Sequence, residues 1–382
     1  MKRICLILAL VLVLSVLPAV PAEAVELDVG GKSAVLMDAA TGTVLYEHNS
    51  HEKLAPASVT KVMTMLLIME AIDSGCIRWE DMVTASEAAA AKGGSQIYLK
   101  AGESMSVSDM VKSIAVSSAN DAACAMAEHL AGSEAAFVEK MNGRAAELGM
   151  NDTHFVNCTG LDDGPDAAQH RTSAYDIALM SRELLVNHPD IKKYTTIWMD
   201  TIRDGAFGLS NTNKLIRFYT GATGLKTGFT SGAGYCLSAT AAREGMELIA
   251  VVMGCDSSQI RNAACKAMLD YGFANFALAS PQPEGDLRVA VRLGREEMVE
   301  AVPESAEPVL IEKARKNSLS TRVELEESVA APVDKGQRLG TMTLYAGEQI
   351  LGRIPLVAAE EIPRLSWWEV TRLVLRRVVC GR

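Results

Sequence analysis

Helical and alternating hydrophobic patterns divide the first 280 residues of the chain. Alternating runs on either side of Thr41-Gly42 predict a β-hairpin made of Ser33–Asp38 and Thr43–Glu47. Apolar positions with helical spacing predict a strongly apolar helix from Ser58 to about Ser74. The same spacing predicts two or three helices from Ser106 to Leu148, broken near Ser117-Ser118 and Gly132-Ser133, and single helices at 172–186 and 260–276.

Three strands are predicted near the end of this region, at Gly224–Gly228, Gly234–Ala242 and Met246–Gly254. A long loop, 151–171, precedes the helix at 172–186. Because the hairpin opens the region and the three strands close it, with the helices between them, the pattern predicts an α+β fold. In that fold an antiparallel sheet is formed from both ends of the domain, and a helical region is inserted between them.

The pattern changes after Ser280-Pro281-Gln282-Pro283. Short alternating segments separated by glycine, proline or charged residues predict a small β-rich domain at 284–360. Its expected strands are Leu287–Leu293, Val309–Ile311, Arg322–Leu325, Gly340–Tyr345 and Gln349–Pro355. The segment has no cluster of catalytic residue types. We therefore place the catalytic domain at 25–280 and interpret the second domain as a spacer or a protein-binding module.

The last segment, 363–382, has a helical pattern with two different faces. At about 100° per residue, the polar half carries Glu369, Arg372 and Arg376, and the apolar half carries Trp367, Trp368, Val370, Val374, Leu375, Val378 and Val379. Its net charge is +4, whereas the other mature residues sum to −15. Tryptophans beside an arginine-rich face predict an amphipathic helix on an anionic membrane surface. A helix packed on the β-rich domain is the alternative.

The amino terminus has the order of a secretory signal peptide: a basic Met1-Lys2-Arg3, an apolar run from Ile4 to Val20, and Ala22-Glu23-Ala24. Cleavage after residue 24 predicts an exported protein at the outer face of the cytoplasmic membrane. Removal of the leader takes away two basic residues and one acidic residue, so the net charge changes from −10 to −11. An acidic exported protein is a poor nucleic-acid binder, which argues against nucleic-acid partners.

Seven cysteines remain in the mature chain, and none belongs to a C-x-x-C pair. An odd number without such pairs, in a chain large enough to form a core, argues against a disulfide framework and against a zinc site. We expect Cys124, Cys236 and Cys255 to be buried as small hydrophobic residues.

Ser58 and Lys61 stand three residues apart at the start of the predicted apolar helix. Residues i and i+3 share a helix face, so the Lys61 amine can lie beside the Ser58 hydroxyl. Burial and a second nearby cation would favour the neutral amine, which can accept the Ser58 proton. The N–H groups at the start of the helix can stabilise an oxyanion. A capped helix with a surface lysine is the alternative, because S-x-x-K also occurs at Ser50–Lys53.

Two further motifs accompany this pair, and each occurs once in the chain. Ser118-Ala119-Asn120 lies at a break between helices, and Lys226-Thr227-Gly228 lies on a predicted strand. Taken singly, Ser118 could cap a helix and Lys226 could be a solvated strand residue. The order Ser-x-x-Lys, Ser-x-Asn, Lys-Thr-Gly is the set carried by penicillin-recognising serine acyl-transferases.

On these motifs the chain resembles the low-molecular-mass penicillin-binding proteins, the D-alanyl-D-alanine carboxypeptidases of the serine β-lactamase/DD-peptidase superfamily. The stretches PASVTKVMT, SSANDAA and GLKTGFTSGAGYCL carry the resemblance in the catalytic domain, and KGQRLGTMTLYAGEQILGRIPLV carries it in the β-rich domain. The resemblance implies the DD-peptidase fold and a serine-type hydrolase that removes the terminal D-alanine from peptidoglycan stem peptides. It also implies that no metal or organic cofactor is needed and that β-lactams are covalent inhibitors.

The resemblance assigns roles to the matching residues. Ser58 would be the nucleophile, Lys61 the general base, and Ser118 the relay that passes a proton to the leaving D-alanine. Lys226 would supply the second positive charge that lowers the pKa of Lys61. The remaining substrate-binding residues would be Asn120 at the peptide amide, Thr227 and Arg261 at the terminal carboxylate, and Gly228 and Phe229 on the same strand.

The backbone N–H groups of Ser58 and Phe229 would form the oxyanion hole. The chain departs from some relatives at Ala119, where glycine is common, and at Phe229, where some have histidine. The departure at Phe229 concerns specificity, because the role expected there belongs to the backbone. His154 and His170 are not needed as bases, and we interpret both as structural or surface residues.

Two other functions remain open at this point. A class A-like β-lactamase would share the motifs but also needs a loop glutamate, and the loop 151–171 has none, although Asp162, Asp163 and Asp166 could be proposed instead. The second domain and the membrane tail favour the carboxypeptidase. A non-catalytic β-lactam-binding sensor or scaffold usually needs a transmembrane segment, and none is predicted beyond the signal peptide.

Overall fold

The computed structural model describes residue 27 and residues 29–380 except 281, 284 and 306, without the side chains of residues 373 and 377–380. The predicted signal peptide, residues 1–24, lies outside the described residues. Within the described part of the chain, no helix has the length and apolar character needed to span a bilayer.

Nineteen strands and helices precede residue 280 in the described chain. In order they are β1 (Ser33–Asp38), β2 (Val44–His48), α1 (Lys61–Asp73), β3 (Met82–Thr84), α2 (Glu87–Ala90), β4 (Ser104–Ser106), α3 (Val107–Ser117), α4 (Asn120–Ala131), α5 (Glu134–Glu147), α6 (Ala174–Asn187), α7 (Lys192–Thr195), β5 (Met199–Ile202), β6 (Phe207–Ser210), α8 (Leu215–Phe218), β7 (Ala222–Thr230), β8 (Gly234–Arg243), β9 (Met246–Cys255), α9 (Ser258–Asn275) and β10 (Phe276–Ala279).

The central sheet of this region has five strands in the order β2-β1-β9-β8-β7, and all neighbours are antiparallel. The first two strands come from the start of the region and the other three from its end. The predicted α+β plan, with an antiparallel sheet made from both ends and helices inserted between them, is therefore confirmed. Strand β7, which carries Lys226-Thr227-Gly228, forms one edge of the sheet.

Hydrophobic side chains cover both faces of the sheet because successive residues of a strand point to opposite sides. On β1, Val35 and Met37 pack against the inserted helices, whereas Leu36 packs on the side of α9. Helix α1 lies inside the helical layer, and most of its residues, from Lys61 to Met69, are buried. A helix that is apolar all round is typical of a buried position.

Serine side chains mark the starts of several helices. Ser106, Ser133, Ser173 and Ser257 each accept a hydrogen bond from a backbone N–H in the first turn, which satisfies one of the unpaired donors there. Helix α3 ends at Ser117, and Ser118 has the left-handed conformation, with φ of 63°. The predicted helix breaks at Ser117-Ser118 and Gly132-Ser133 are therefore confirmed.

The C-terminal β-rich domain contains β11 (Arg288–Arg292), β12 (Met298–Pro303), β13 (Val309–Glu312), β14 (Leu319–Leu325), β15 (Ser328–Ala330), β16 (Arg338–Ala346) and β17 (Gln349–Ala358), followed by α10 (Trp367–Cys380). Six strands form a sheet in the order β14-β16-β17-β12-β11-β15, and β13 pairs instead with β10. The pattern did not predict β12 or β15. Strand β12 has apolar residues at exposed as well as buried positions, and β15 has only three residues, so the sequence pattern of neither is clear.

The six cysteines described in detail are free thiols. Cys124, Cys236 and Cys255 are buried, as the sequence predicted, while Cys76 is exposed.

Strand β7 lies directly against a single turn of 3₁₀ helix, Ala57–Thr60, that precedes α1. A Cβ atom on Gly228 would lie 2.6 Å from the Pro56 carbonyl oxygen and 3.2 Å from the Ala57 Cβ. The strand can approach the turn this closely only because residue 228 has no side chain.

We expect Gly228→Ala to lower the free energy of unfolding by about 1–3 kcal/mol, because the new methyl group must displace backbone atoms of the turn. Gly232→Ala is the matched control on the same β-hairpin, since its Cβ would meet only the Asp162 Oδ2 atom at 3.4 Å. Urea unfolding of the two variants measures the difference. Equal stabilities would contradict the close packing of β7 on the turn.

Candidate active site

Ser58 and Lys61 meet at the junction of the 3₁₀ turn and α1. Ser58 lies in the turn and is half-buried, while Lys61 is the first residue of α1 and is fully buried. The Lys61 Nζ atom lies 3.0 Å from the Ser58 Oγ atom and donates a hydrogen bond of 2.8 Å to the Thr159 carbonyl oxygen. The predicted helix thus begins three residues later than expected, at Lys61, but the two side chains are adjacent as predicted.

Burial lowers the pKa of Lys61 to about 7, because the interior penalises the charged ammonium. The charges that act on Lys61, those of Cys158 and Asp121, shift its pKa in the opposite direction. Burial is the main cause of the low pKa of Lys61, and repulsion by Lys61 contributes to the low pKa of Lys226. The expected contribution of Lys226 to the low pKa of Lys61 stays a prediction.

Lys226 and Arg261 add two more buried cations, with exposed fractions of 1% and 6%. Burial, and then the charges of Lys61 and Arg261, hold the pKa of Lys226 well below its usual value of 10.5. Lys226 donates to the Thr227 carbonyl oxygen at 2.8 Å, and the Arg261 Nε donates to the Asn262 Oδ1 atom at 3.2 Å. Neither side chain forms an ion pair with any described residue. The sequence prediction that Arg261 begins the helix after the last strand is confirmed, because Arg261 lies in the first turn of α9.

Ser118 and Asn120 lie between α3 and α4. Ser118 is 3% exposed, and no described residue is hydrogen-bonded to its side chain. The Asn120 Nδ2 atom donates to the Gly93 carbonyl oxygen at 2.8 Å, which fixes the orientation of the amide. Its Oδ1 atom is buried and has no partner in the described structure. A buried polar atom without a partner is costly, which suggests that Asn120 Oδ1 accepts a hydrogen bond from a ligand.

Thr227, Gly228 and Phe229 follow Lys226 along β7. The Thr227 Oγ1 atom donates to the Thr212 Oγ1 atom at 2.7 Å. The Phe229 side chain is 54% exposed, and its ring lies 4.3 Å from the ring of Tyr235 on β8. Arg261 lies beside the same tyrosine, with its guanidinium carbon 5.8 Å from the ring centroid. The strand therefore connects the Ser58 turn to the Arg261 side of the site.

Sequence reasoning missed two residues that hold this arrangement. Thr159, in the loop 151–171, supplies the carbonyl oxygen to which Lys61 donates, and Thr212 accepts from Thr227. Every residue type has a backbone carbonyl, so the identity of residue 159 could not indicate this hydrogen bond. The polar segment Asn211-Thr212-Asn213, which follows β6, was a signal, because polar side chains that become buried need hydrogen-bond partners.

Among the described residues, one group could offer metal ligands: Glu70, Glu183 and His188 each place one ligand atom within 4.8 Å of the others. Arg144 already donates to Glu70 at 2.7 Å and to Glu183 at 2.6 Å, and His188 lies 2.5 Å from Asp73. The arginine thus offsets part of the charge of these carboxylates. None of the three motifs contributes a residue to the group.

The Ser58 site combines a serine, an adjacent amine with a pKa near neutrality, and two further buried cations. A serine beside a neutral amine can act as a nucleophile. Buried cations without carboxylate partners favour a substrate that carries an anionic group. The geometry is therefore that of an acyl-transfer site for a substrate with a free carboxylate.

Comparisons with known proteins agree with this chemistry. Residues 20–257 match the family model described as D-alanyl-D-alanine carboxypeptidase, and residues 279–364 match the model of the penicillin-binding protein 5 C-terminal domain. The chain is 43% identical to the D-alanyl-D-alanine carboxypeptidase DacF of Bacillus subtilis over 90% of this chain and 88% of that protein.

Solved structures show the same likeness. Penicillin-binding protein 5 from Haemophilus influenzae superposes with a TM-score of 0.75 at 30% identity, covering 89% of this chain and 99% of the other. Penicillin-binding protein D2 from Listeria monocytogenes, solved in an ampicillin-bound form, superposes with a TM-score of 0.59 at 31% identity over 65% of this chain and 99% of the other. The family predicted from the three motifs is confirmed, and the chain belongs to the D-alanyl-D-alanine carboxypeptidases.

Proposed function

We propose that the protein removes the terminal D-alanine from peptidoglycan stem peptides through an acyl-enzyme on Ser58. The observation that carries the proposal is the 3.0 Å distance between the Lys61 Nζ and Ser58 Oγ atoms, together with the pKa of Lys61 near 7. At neutral pH a large fraction of the amine is then free to accept a proton.

In the first half of the reaction, the Ser58 oxygen attacks the carbonyl carbon that links the last two D-alanines. The hydroxyl proton moves to the Lys61 amine as the C–O bond forms. The carbonyl oxygen gains the negative charge, and the backbone N–H groups of Ser58 and Phe229 donate to it. The result is a tetrahedral intermediate on Ser58 and a protonated Lys61.

In the second half, the C–N bond breaks and the leaving nitrogen needs a proton. We propose that Lys61 returns its proton through the Ser118 hydroxyl, which has no other partner among the described residues. D-Alanine departs, and the acyl group remains on Ser58 as an ester. Water then adds to the ester carbonyl, and the bond to Ser58 breaks with a proton restored to its oxygen.

The carboxylate of the terminal D-alanine would be bound by Lys226, Thr227 and Arg261. The two buried cations lack ion-pair partners in the described chain, so a bound carboxylate would compensate their desolvation. Its charge would also raise the pKa of Lys226 and keep that amine protonated. The unpaired Oδ1 atom of Asn120 would accept the substrate's peptide N–H.

β-Lactams carry a reactive amide carbonyl beside a carboxylate, the same two groups that this site would recognise. The related protein from Listeria monocytogenes has been solved with ampicillin bound. We propose that β-lactams acylate Ser58 and act as slowly hydrolysed inhibitors of this protein.

We also propose that residues 1–24 direct export and that the C-terminal helix holds the protein at the outer face of the cytoplasmic membrane. On α10, the side chains of Trp367 and Trp368 are 70% and 73% exposed, and Val374 and Leu375 are also exposed. Exposed tryptophans are suited to a membrane interface, which supports this proposal over a helix packed on the β-rich domain. The proposed domain boundaries are 25–280, 284–360 and 363–382.

Replacement of Ser58 tests the nucleophile. We expect Ser58→Ala to abolish both the mass increase on incubation with benzylpenicillin and the release of D-alanine from diacetyl-Lys-D-Ala-D-Ala, because no oxygen remains to form the ester. Ser50→Ala is the matched control, since Ser50 belongs to the chain's other S-x-x-K sequence and donates to Glu47. An adduct on the Ser58→Ala variant would refute the assignment, and rapid penicillin turnover without D-alanine release would favour a β-lactamase.

The pH dependence of acylation tests the base. Because Lys61 must be neutral and burial lowers its pKa to about 7, we expect the second-order rate constant for benzylpenicillin acylation to rise about tenfold per pH unit below pH 7 and to level off above it. Stopped-flow or quenched mass spectrometry measures the profile. Lys61→Arg should stay inactive throughout, since a guanidinium remains protonated. A flat wild-type profile between about pH 5 and pH 9 would contradict the role of Lys61.

Vesicle sedimentation tests the membrane helix. Deletion of 363–382, or Trp367→Ala with Trp368→Ala, should release the protein from vesicles that contain anionic phosphatidylglycerol, because the apolar face and the interfacial aromatic rings are lost. Phe218→Ala removes an aromatic ring that is 71% exposed elsewhere and should leave binding unchanged. Continued sedimentation of the deletion variant would disprove the proposal.

A further inference from the structure

The turn that carries Ser58 begins with an unusual backbone conformation. Ala57 has φ of 49°, in the left-handed region that residues with a side chain rarely adopt. Such a conformation costs about 1–3 kcal/mol and persists only where the surroundings impose it. Ala57 is buried, so the constraint must come from its neighbours in the fold.

The loop 151–171 supplies these neighbours. The His170 Nε2 atom lies 2.8 Å from the Thr60 Oγ1 atom, and the Thr60 hydroxyl donates to the Ala57 carbonyl oxygen at 2.8 Å. Gly160 packs against the same carbonyl so closely that a Cβ there would lie 1.8 Å from the oxygen. The Ala57 carbonyl is therefore held by a hydrogen bond on one side and by packing on the other.

The hydrogen bonds around His170 determine the position of its proton. The Val156 backbone N–H donates to the Nδ1 atom at 3.1 Å, so Nδ1 must be the unprotonated nitrogen. The proton is then on Nε2, which donates to Thr60, since the Thr60 hydrogen is already directed at the Ala57 carbonyl. Burial lowers the pKa of His170 to about 4, so the ring stays neutral at neutral pH.

This chain of hydrogen bonds ends at the peptide group that contains the Ser58 N–H. In a trans peptide, the carbonyl of residue 57 and the N–H of residue 58 lie in one plane and point in opposite directions. Whatever fixes the direction of the Ala57 carbonyl therefore fixes the direction of the Ser58 N–H. That N–H is one of the two donors of the oxyanion hole proposed above.

We propose that His170 is a positioning residue that directs the Ser58 N–H into the oxyanion hole, acting through the Thr60 hydroxyl and the Ala57 carbonyl. The proposal rests on the assignment of Ser58 as the nucleophile. His170 does not touch the substrate in this role. Its effect is on the stabilisation of the tetrahedral intermediate, and substrate binding before the reaction does not depend on it.

His154, the other histidine of the loop, lacks these contacts. It is exposed, and its backbone pairs with Arg171. His154→Phe is therefore the matched control for His170→Phe. In the test variant, phenylalanine keeps the ring volume beside Phe155, whose ring centroid lies 5.7 Å from that of His170, but makes neither hydrogen bond.

The test separates binding from acylation in full-length protein. For benzylpenicillin, we expect His170→Phe and Thr60→Val each to lower the acylation rate constant about ten- to hundredfold, which is somewhat less than the effect of removing an oxyanion donor. The dissociation constant of the noncovalent complex that precedes acylation should be unchanged. Because both residues act on the Ala57 carbonyl, the acylation rate constant of the double variant should be close to those of the single variants. His170→Gln should recover most of the rate, since its amide can donate to Thr60 and accept from Val156.

A transition-state analogue distinguishes positioning from a general loss of structure. N-Acetyl-D-boroalanine forms a tetrahedral adduct with the serine and places an oxygen in the oxyanion hole, so its affinity should fall in parallel with the acylation rate. Thermal unfolding of every variant shows whether the protein is folded at the assay temperature. His154→Phe should match the wild type in all these measurements.

The proposal fails if folded His170→Phe acylates at the wild-type rate, if its boronate affinity is unchanged, or if the effects of His170→Phe and Thr60→Val multiply in the double variant. It also fails if His170→Gln is as slow as His170→Phe. Failure of the underlying function is distinct from these outcomes, because the wild-type protein would then form no adduct on Ser58 at all.

Discussion

The burial of the Lys61 amine is the constraint on which the rest of the site depends. A shift of the pKa from 10.5 to about 7 corresponds to a difference of roughly 5 kcal/mol in the interaction of the protein with the charged and neutral forms. The apolar interior around α1 produces this shift. It could not do so if a carboxylate lay beside the amine, since an ion pair would restore the high pKa.

Burial also determines the energetic state of the two other cations of the site. Lys226 and Arg261 are buried without an ion-pair partner in the described chain, which is an unfavourable state for a resting protein. A bound substrate carboxylate, as proposed, would offset this cost. The Asn120 Oδ1 atom is likewise buried without a partner, and a hydrogen-bond donor of the substrate would satisfy it. The site would therefore give up stability in its free form and regain it with a substrate that has both a carboxylate and a hydrogen-bond donor.

Much of this arrangement was predictable because it depends on residue types at fixed spacings. The apolar helix, the helix breaks at Ser117-Ser118 and Gly132-Ser133, and the three strands that end the sheet were predicted from periodicity and turn residues. The adjacency of Ser58 and Lys61 follows from a separation of three residues. Strands β12 and β15 were missed, since a short or irregular strand is defined by its neighbours in the sheet more than by its own pattern.

Other features could not be inferred from the chain alone. The Lys61 amine donates to a backbone carbonyl of the loop 151–171, and a carbonyl is common to every residue type. Burial of Lys61 was expected from the sequence, but its extent was not, because burial depends on packing among segments far apart in sequence. The contacts of His170 with Thr60 and Val156 are also long-range or backbone contacts, so a loop histidine appeared to have no particular role.

The pairing of β10 with β13 has a mechanical consequence. Strand β10 begins directly after α9, and its four residues pair with β13 of the β-rich domain, while Lys313 lies 3.5 Å from Glu244 on the turn between β8 and β9. Because backbone pairing joins the two regions, the second domain would act as a spacer and not as a flexible tether. With the C-terminal helix on the membrane as proposed, the active site would be held at a set height. The reach of the enzyme would then be limited to the layer of cell wall at that height, whatever its catalytic rate.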